Sequence, residues 1–370
     1  MPWVHGGERE TRSVVPGPTA TPRPAVDTAV RVARHYGPAT GFAGGMAAVL
    51  EAVLELPLRR YRAELVATWT PEARWWGAAL VARALWGLLR GRDRPVIHVH
   101  LSVGGSFLRE GAIVAVARAR RLPVVVSLHG GELPEFAQRH PRLVRSVLGR
   151  ADAVVALGPH SADQAAGWAP ATTRIEVIPN PVELTATTPA AGTDEEVVFA
   201  GTLSYLKGVD VLLAAWPAVR ARRPEARLIL AGPPGDIDVA ASAGDGIAVP
   251  GTMTREEVRR FLHDCRVAVL PSRVEVLPMF LLEAMASARP VVATPVGDVA
   301  WLVGGDGHVV PVGDSEALAG AITEMLEDPA AAGATGERLR ARAERDFAPA
   351  TVASQLETLY DVAIEHAGAR

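Results

Sequence analysis

Short runs of β-branched residues alternate with longer Ala- and Leu-rich stretches whose apolar positions recur every three to four residues. The first pattern predicts strands and the second predicts helices. In the first half, strands are expected at 30–33, 63–68, 96–101, 123–128, 153–157 and 174–178. Helices are expected at 46–56, 76–89, 112–121, 141–148 and 162–169. The alternation then begins again, with strands at 196–200, 226–231, 247–250, 267–270 and 291–293. Helices are expected at 209–222, 254–263, 279–286, 316–326, 332–344 and 352–366. Between the two series lies 181–194, rich in Thr, Pro, Ala and Gly and without periodicity. The expected class is therefore α/β: two Rossmann-like domains with mainly parallel sheets facing a central cleft. The expected division is a flexible tail at 1–28, an N-terminal domain at 29–184, a linker at 185–194 and a C-terminal domain at 195–347. A final helical segment at 348–370 is expected to pack back toward the N-terminal domain. Open sheets of this kind bind ligands beyond the C-terminal ends of their strands.

Composition narrows the function classes. With 49% hydrophobic and 21% charged residues the chain can bury sizeable cores, and its net charge of -3 gives no support to a nucleic-acid surface. Its single cysteine, Cys265, allows no disulfide framework and no cysteine-rich metal site. The first 28 residues lack the apolar core of a secretory signal, and no uncharged apolar run is long enough to span a bilayer. A cytoplasmic protein is expected. The most apolar stretch, 75–89, is interrupted by Arg83 and flanked by Arg74 and Arg90. It reads first as a packed core helix. The alternative is an interfacial surface in which Trp75, Trp76, Leu80 and Trp86 meet lipid beside the arginines, at the inner face of a membrane.

The polar chemistry gathers in loops that leave predicted strands. Between Phe199 and Gly208 the chain passes from strand to helix; Gly201 allows close backbone approach, and Lys207 can join free helix amides in holding a phosphate. A solvent-exposed lysine on an ordinary loop has the same pattern. Ala231 to Asp236 either admits a nucleotide base or turns the chain. The segment Pro271 to Glu283 is more informative. Glu275 falls in the loop, whereas Glu283 lies among Leu281, Leu282, Ala284 and Met285, a costly place for an unsatisfied carboxylate. Ribose hydroxyls would satisfy it, and so would a salt bridge. Amides near Pro278, Met279 and Phe280 can meet a diphosphate, although Pro278 itself has no N–H. In the first half, Gly44 and Gly45 precede a helix and can wrap a phosphate or sugar, or simply turn the chain. His98 and His100 alternate on one strand and share a face, which with His129 raises a zinc site. No closed ligand set accompanies them, so no metal is expected. Ser106 and Arg109 can meet acceptor hydroxyls or phosphate, and Arg109 can equally pair with Glu110.

From about Val30 to the C-terminus these segments resemble the retaining family 4 glycosyltransferases of GT-B fold. The resemblance rests on Val177-Ile178-Pro179-Asn180-Pro181-Val182, on Phe199 to Gly208, and on Glu275 and Glu283 with their eight-residue separation. It continues through Glu283-Ala284-Met285-Ala286, Arg289 to Thr294, Gly307 to Pro311, Asp314 and Leu318. It implies a nucleoside-diphosphate sugar as co-substrate and no other cofactor. Glu275 would contact the donor sugar, Glu283 the ribose and Lys207 the diphosphate, with His129 near the reacting carbon for orientation and charge stabilisation. Gly44, Gly45, Gly201, Thr202, Pro278, Met279 and Phe280 complete the expected donor site, with Ser106, Arg109 and His129 on the acceptor side. The implied reaction is transfer to an acceptor hydroxyl with retention, the departing phosphate taking the acceptor proton. Where the family has arginine this chain has Thr202, and Arg273 is the candidate replacement. Asp298 and Trp301 stand where the family has glycine and glutamate. The loop with Ser102 to Arg109 and the segment Leu128 to Glu132 resemble bacterial members that build cell-surface glycans or polysaccharides, so the acceptor is expected to be a sugar, a small molecule or a lipid-linked glycan. A non-catalytic sugar-nucleotide-binding subunit and a sugar-nucleotide epimerase are the alternatives. Donor identity, linkage and oligomeric state stay open.

Overall fold

The structure is a computed structural model that describes residues 30–42, 44–71, 77–184, 195–239, 242 and 244–369. The tail at 1–28, the linker at 185–194, and Arg74, Trp75 and Trp76 lie outside the described residues. In chain order the first half comprises β1 (Arg31–Pro38), α1 (Gly45–Leu54), β2 (Tyr61–Trp69), α2 (Gly77–Arg90), β3 (Val96–Leu101) and α3 (Gly105–Ala119). It continues with β4 (Val124–Leu128), α4 (Leu133–Arg139), α5 (Pro141–Leu148), β5 (Ala153–Ala156), α6 (Pro159–Trp168) and β6 (Arg174–Val177). The second half begins with β7 (Glu196–Ala200), α7 (Val209–Arg222), β8 (Arg227–Ala231), β9 (Ile247–Gly251), α8 (Arg255–Asp264), β10 (Val267–Leu270) and α9 (Met279–Ala286). It ends with β11 (Val291–Ala293), α10 (Val299–Val303), β12 (His308–Val309), α11 (Ser315–Glu327), α12 (Pro329–Asp346) and α13 (Pro349–Gly368).

Two parallel sheets result, ordered β2-β1-β3-β4-β5-β6 and β12-β11-β10-β7-β8-β9. In β3, β4 and β5, and again in β10 and β11, every residue is buried, because helices cover both faces of a parallel sheet. That is why these strands read as unbroken apolar runs in the sequence. The strand order reverses between β1 and β3 in the first sheet and between β7 and β10 in the second. A crevice opens beyond the strand ends at each reversal, because the flanking connections leave in opposite directions.

One helix departs from the sequence expectation in a way that matters for the site. Helix α3 begins at Gly105, well before 112, because Gly104 (φ 60°) turns the chain directly from β3 into the helix. Ser106 and Arg109 are thus helical. The short elements α4, α10 and β12 were not expected, being too brief to display a period. Helix α13, led in by Pro349 in its first turn, lies against the first sheet. Its Glu357 accepts hydrogen bonds from the Arg59 and Arg60 amides, both at 2.6 Å, and Asp361 accepts one from the Tyr61 hydroxyl at 2.6 Å.

Candidate functional site

Between the halves lies a cleft of about 870 Å³. Its C-terminal wall includes Gly201, Thr202, Lys207, Glu275, Pro278, Met279, Phe280 and Glu283, and its opposite wall includes Gly44, Gly45 and His129. These residues come from the loops after β7, β10, β1 and β4 and from the helices α1 and α9 that two of those loops lead into, so both strand-order reversals face the same space.

The loop after β7 is held against the loop after β10. Gly208, at φ 71°, caps α7, and a Cβ there would lie 1.9 Å from the Pro271 carbonyl oxygen, so any side chain would force the loops apart. This contact places Lys207 Nζ 2.6 Å from Glu275 Oε1, and the Ser272 hydroxyl donates to the same oxygen at 2.9 Å. Glu283 sits in α9, whose eight residues are all buried. Arg255 Nε donates to Glu283 Oε1 at 2.5 Å. Burial pushes the Glu283 carboxyl up from its usual range, and the Arg255 guanidinium opposes that shift. Arg255 Nη2 is buried without a hydrogen-bond partner among the described residues.

Arg255 was absent from the sequence expectation. A signal for it existed: Thr254 and Glu257 form a capping box, the Thr-x-x-Glu pattern that starts a helix. A helix starting just after β9 presents its first residue to the strand ends, and Arg255 occupies that position. Arg273, the expected substitute for the missing arginine, does not line the main cleft. Its guanidinium bonds both Asp210 carboxylate oxygens, at 2.7 and 2.8 Å, donates to the Tyr205 carbonyl, and stacks 3.7 Å from the Tyr205 ring centroid. It holds the Lys207 turn in place. Lys207 and Arg255 are the cations among the described cleft-lining residues.

On the opposite wall the N-cap of α1 is Gly44, and on the C-terminal wall that of α9 is Pro278; among the described residues neither makes a side-chain cap. Their first amides therefore lack side-chain acceptors, and the two partial positive ends open on the cleft from opposite sides. His129 donates its amide to the Leu101 carbonyl at 2.7 Å, which fixes the loop after β4. Next to it, a Cβ at Gly131 would meet Val274 Cγ1 at 2.4 Å, so the His129 loop closes directly on the Glu275 loop. Complete burial lowers the His129 pKa to about 4. At that pKa the ring is neutral at physiological pH and offers a hydrogen bond and a fixed orientation. Ser106 and Arg109 do not line the cleft. The Ser106 hydroxyl accepts from the Ser102 amide at 3.2 Å, and Arg109 Nε lies 3.6 Å from Glu110 Oε1. Ser102, four residues earlier, lines the cleft instead.

The two family departures have structural explanations. Asp298 is buried and accepts hydrogen bonds from the His160 and Ser161 amides at 2.7 and 3.2 Å. A carboxylate from the second half thereby caps α6 of the first. Trp301 packs edge-on against Phe347, with ring centroids 5.7 Å apart. His98 and His100 do share a face, and His35 of β1 joins them; ligand-type atoms of these three lie within 4.8 Å of one another. Each of the three rings is engaged in hydrogen bonds.

Helix α2 is not the core helix first expected. Ala84 and Leu88 are buried, whereas Trp86 and Leu89 are each 56% exposed, and the Arg90 guanidinium lies 3.8 Å above the Trp86 ring. Among the described residues no helix is long and apolar enough to cross a membrane.

Comparison with known proteins agrees with this architecture. Residues 50–186 match the family described as Glycosyltransferase Family 4, and residues 194–328 match Glycosyl transferases group 1. The chain is 28% identical over 314 residues to a glycogen synthase of Mycobacterium tuberculosis, covering 77% of this chain and 73% of that protein. It is 26% identical over 338 residues to the MMP alpha-(1->4)-mannosyltransferase of Mycolicibacterium hassiacum, covering 83% and 80%. Among solved structures, Anabaena Alr3699/HepE in complex with UDP and glucose superposes with a TM-score of 0.68 at 19% identity, covering 88% of this chain and 98% of that one.

Proposed function

The chain belongs to the family 4 glycosyltransferases of GT-B fold, and from that membership we propose how its cleft moves a sugar from a nucleoside diphosphate to an acceptor hydroxyl. The observation that carries the proposal is the convergence of Glu275, Glu283, Lys207 and the start of α9 at the β7/β10 reversal, facing His129 across one cleft. Glu283 takes the ribose hydroxyls, which replace Arg255 as hydrogen-bond donors. Glu275 takes the donor sugar. Lys207, already 2.6 Å from Glu275, bridges that carboxylate and the diphosphate. Arg255, with its unpartnered Nη2, supplies the second cation in place of the arginine missing at Thr202. Lys207, Arg255 and the uncapped α1 and α9 starts are the charge that a divalent metal would otherwise bring to the diphosphate.

Transfer proceeds on one face of the sugar. The anomeric carbon–phosphate oxygen bond breaks, and its electron pair leaves with the phosphate. The acceptor oxygen bonds the same face, and its proton passes to the departing phosphate oxygen, so configuration is retained. Lys207 and the helix amides stabilise the charge that develops on the phosphate. The exposed Trp86, Leu89 and Arg90 edge of α2 supports a lipid-linked acceptor met at a membrane surface.

A panel of nucleotide-sugars tested for binding and turnover decides the proposal. Absence of binding to every nucleotide and nucleotide-sugar refutes it. Glu283→Gln should weaken nucleotide affinity; an unchanged affinity removes the ribose role. Turnover undiminished by a chelator is expected, and the α2 edge is tested by co-sedimentation with anionic vesicles.

A further inference from the structure

Behind His129 the first sheet carries a continuous run of hydrogen-bonded rings that leads away from the cleft to α13. His129 Nε2 lies 3.0 Å from His100 Nδ1, and His100 Nε2 lies 3.0 Å from His35 Nδ1. His35 Nε2 is 3.4 Å from the Tyr360 hydroxyl, which is 2.8 Å from His98 Nδ1, and His98 Nε2 is 2.7 Å from Ser127 Oγ. Strand register assembles the run. His35 and His98 are neighbours across β1 and β3, His100 and Ser127 are neighbours across β3 and β4, and alternation puts His98 with His100 on one face. Tyr360 reaches that face from α13.

A neutral imidazole has one N–H and one bare nitrogen. Each N···N bond needs one proton, on one side or the other. If His129 carries its proton on Nε2, it donates to His100 Nδ1, which must be bare, so His100 carries its proton on Nε2. That proton points at His35 Nδ1, which repeats the constraint. If His129 is instead protonated on Nδ1, the whole sequence reverses. Tyr360 passes the sense on to His98, since its single hydroxyl proton can serve one ring while its oxygen accepts from the other. Burial keeps His35 and His98 neutral, lowering the pKa of His35 to about 3 and that of His98 well below its usual value; His100 and His129 are lowered likewise.

We infer that His35, His98, His100 and Tyr360 are positioning residues that give all four histidines one shared tautomer and so decide whether His129 presents an N–H or a bare nitrogen at Nδ1, the ring atom left outside the run. The inference builds on the proposed transferase reading only in giving His129 a task in the cleft; the shared tautomer stands on the hydrogen bonds alone. It also gives α13 a role in the reaction centre, because the hydroxyl that completes the run belongs to that helix. One nitrogen of each of His35, His98 and His100 lies within 4.8 Å of the others, but both nitrogens of every one of these rings already have a partner in the run. This favours the hydrogen-bonded run over metal ligation.

The test is long-range ¹H–¹⁵N NMR of the full chain labelled at histidine, each ring assigned by its own His→Gln variant. Four neutral rings of one tautomer are expected. Mixed tautomers among His35, His100 and His129, a cationic ring at neutral pH, or a chelator-sensitive divalent metal on these rings would overturn the inference. Tyr360→Phe keeps the ring that packs edge-on against Tyr61 and His98 and removes only the hydroxyl. In that variant the His129 nitrogens should move toward averaged values, and kcat should fall roughly tenfold with donor KM unchanged, a loss of the size of one hydrogen bond. Unchanged His129 signals refute the coupling. If the unaltered chain turns over no donor, the transferase reading fails while the tautomer pattern is still read from the spectra.

Discussion

The two walls of the cleft solve opposite electrostatic problems. The C-terminal wall holds its charge as pairs, Lys207 with Glu275 and Arg255 with Glu283. The N-terminal wall presents His129, backed by the buried rings of His35, His98 and His100, all four with lowered pKa values. A buried carboxylate with a cation against it can exchange that partner when a ligand enters, whereas a buried ring with no counter-charge is cheaper to keep neutral. Each wall should fail in its own way.

Acid should break the neutral wall first, with the largest effect. Each ring's folded pKa is depressed below the unfolded value of 6.5, so between pH 6.5 and about 4 the unfolded chain binds more protons than the folded one. Stability should therefore be full above pH 6.5 and fall as pH drops, by on the order of 1 kcal/mol per pH unit for each ring. Urea unfolding at stepped pH measures this; a flat profile over that window would mean the rings are not neutral in the fold. Lys207→Ala should break the ionic wall, lowering kcat/KM by roughly 10²–10³-fold as expected for a lost donor to developing charge, while the acid profile stays unchanged. Arg255→Ala and Arg273→Ala sharpen the assignment of the second cation. The first should weaken nucleotide affinity about tenfold, by about 1.4 kcal/mol; the second should act mainly on stability through the lost Asp210 pairing. Equal affinity losses by calorimetry would erase the distinction. Smallest is Asp298→Ala, which uncaps α6 and should cost about 1 kcal/mol of stability, read as a lowered Tm.

Much of this is legible in the sequence. The strands 96–101, 196–200, 267–270 and 291–293 and the helices 141–148, 209–222 and 279–286 coincide with observed elements, because buried parallel strands and long periodic helices impose their patterns on sequence. Lys207 and Glu275 stand out because loops at strand ends are where polar residues are free to face a ligand, and Glu283 because a carboxylate among apolar helical residues needs a partner. Arg273 misled for a related reason: it lies in the right loop, but its side chain turns to Asp210 and Tyr205, a direction that no spacing specifies. Ser106 and Arg109 misled because a glycine can either loosen a loop or start a helix, and Gly104 does the second.

The sequence by itself determined the alternation of strands and helices, the two-fold repeat of that alternation, and the residues at strand ends, since all three are local consequences of side-chain periodicity and turn chemistry. Only the tertiary structure decided which residues meet across the chain. Arg255 reaches Glu283, Asp298 caps α6, and Tyr360 closes the histidine run from α13, 325 residues from His35. Those encounters follow from sheet order, register and the docking of the last helix, which are set by the packing of whole layers and leave no local trace in the residues they bring together.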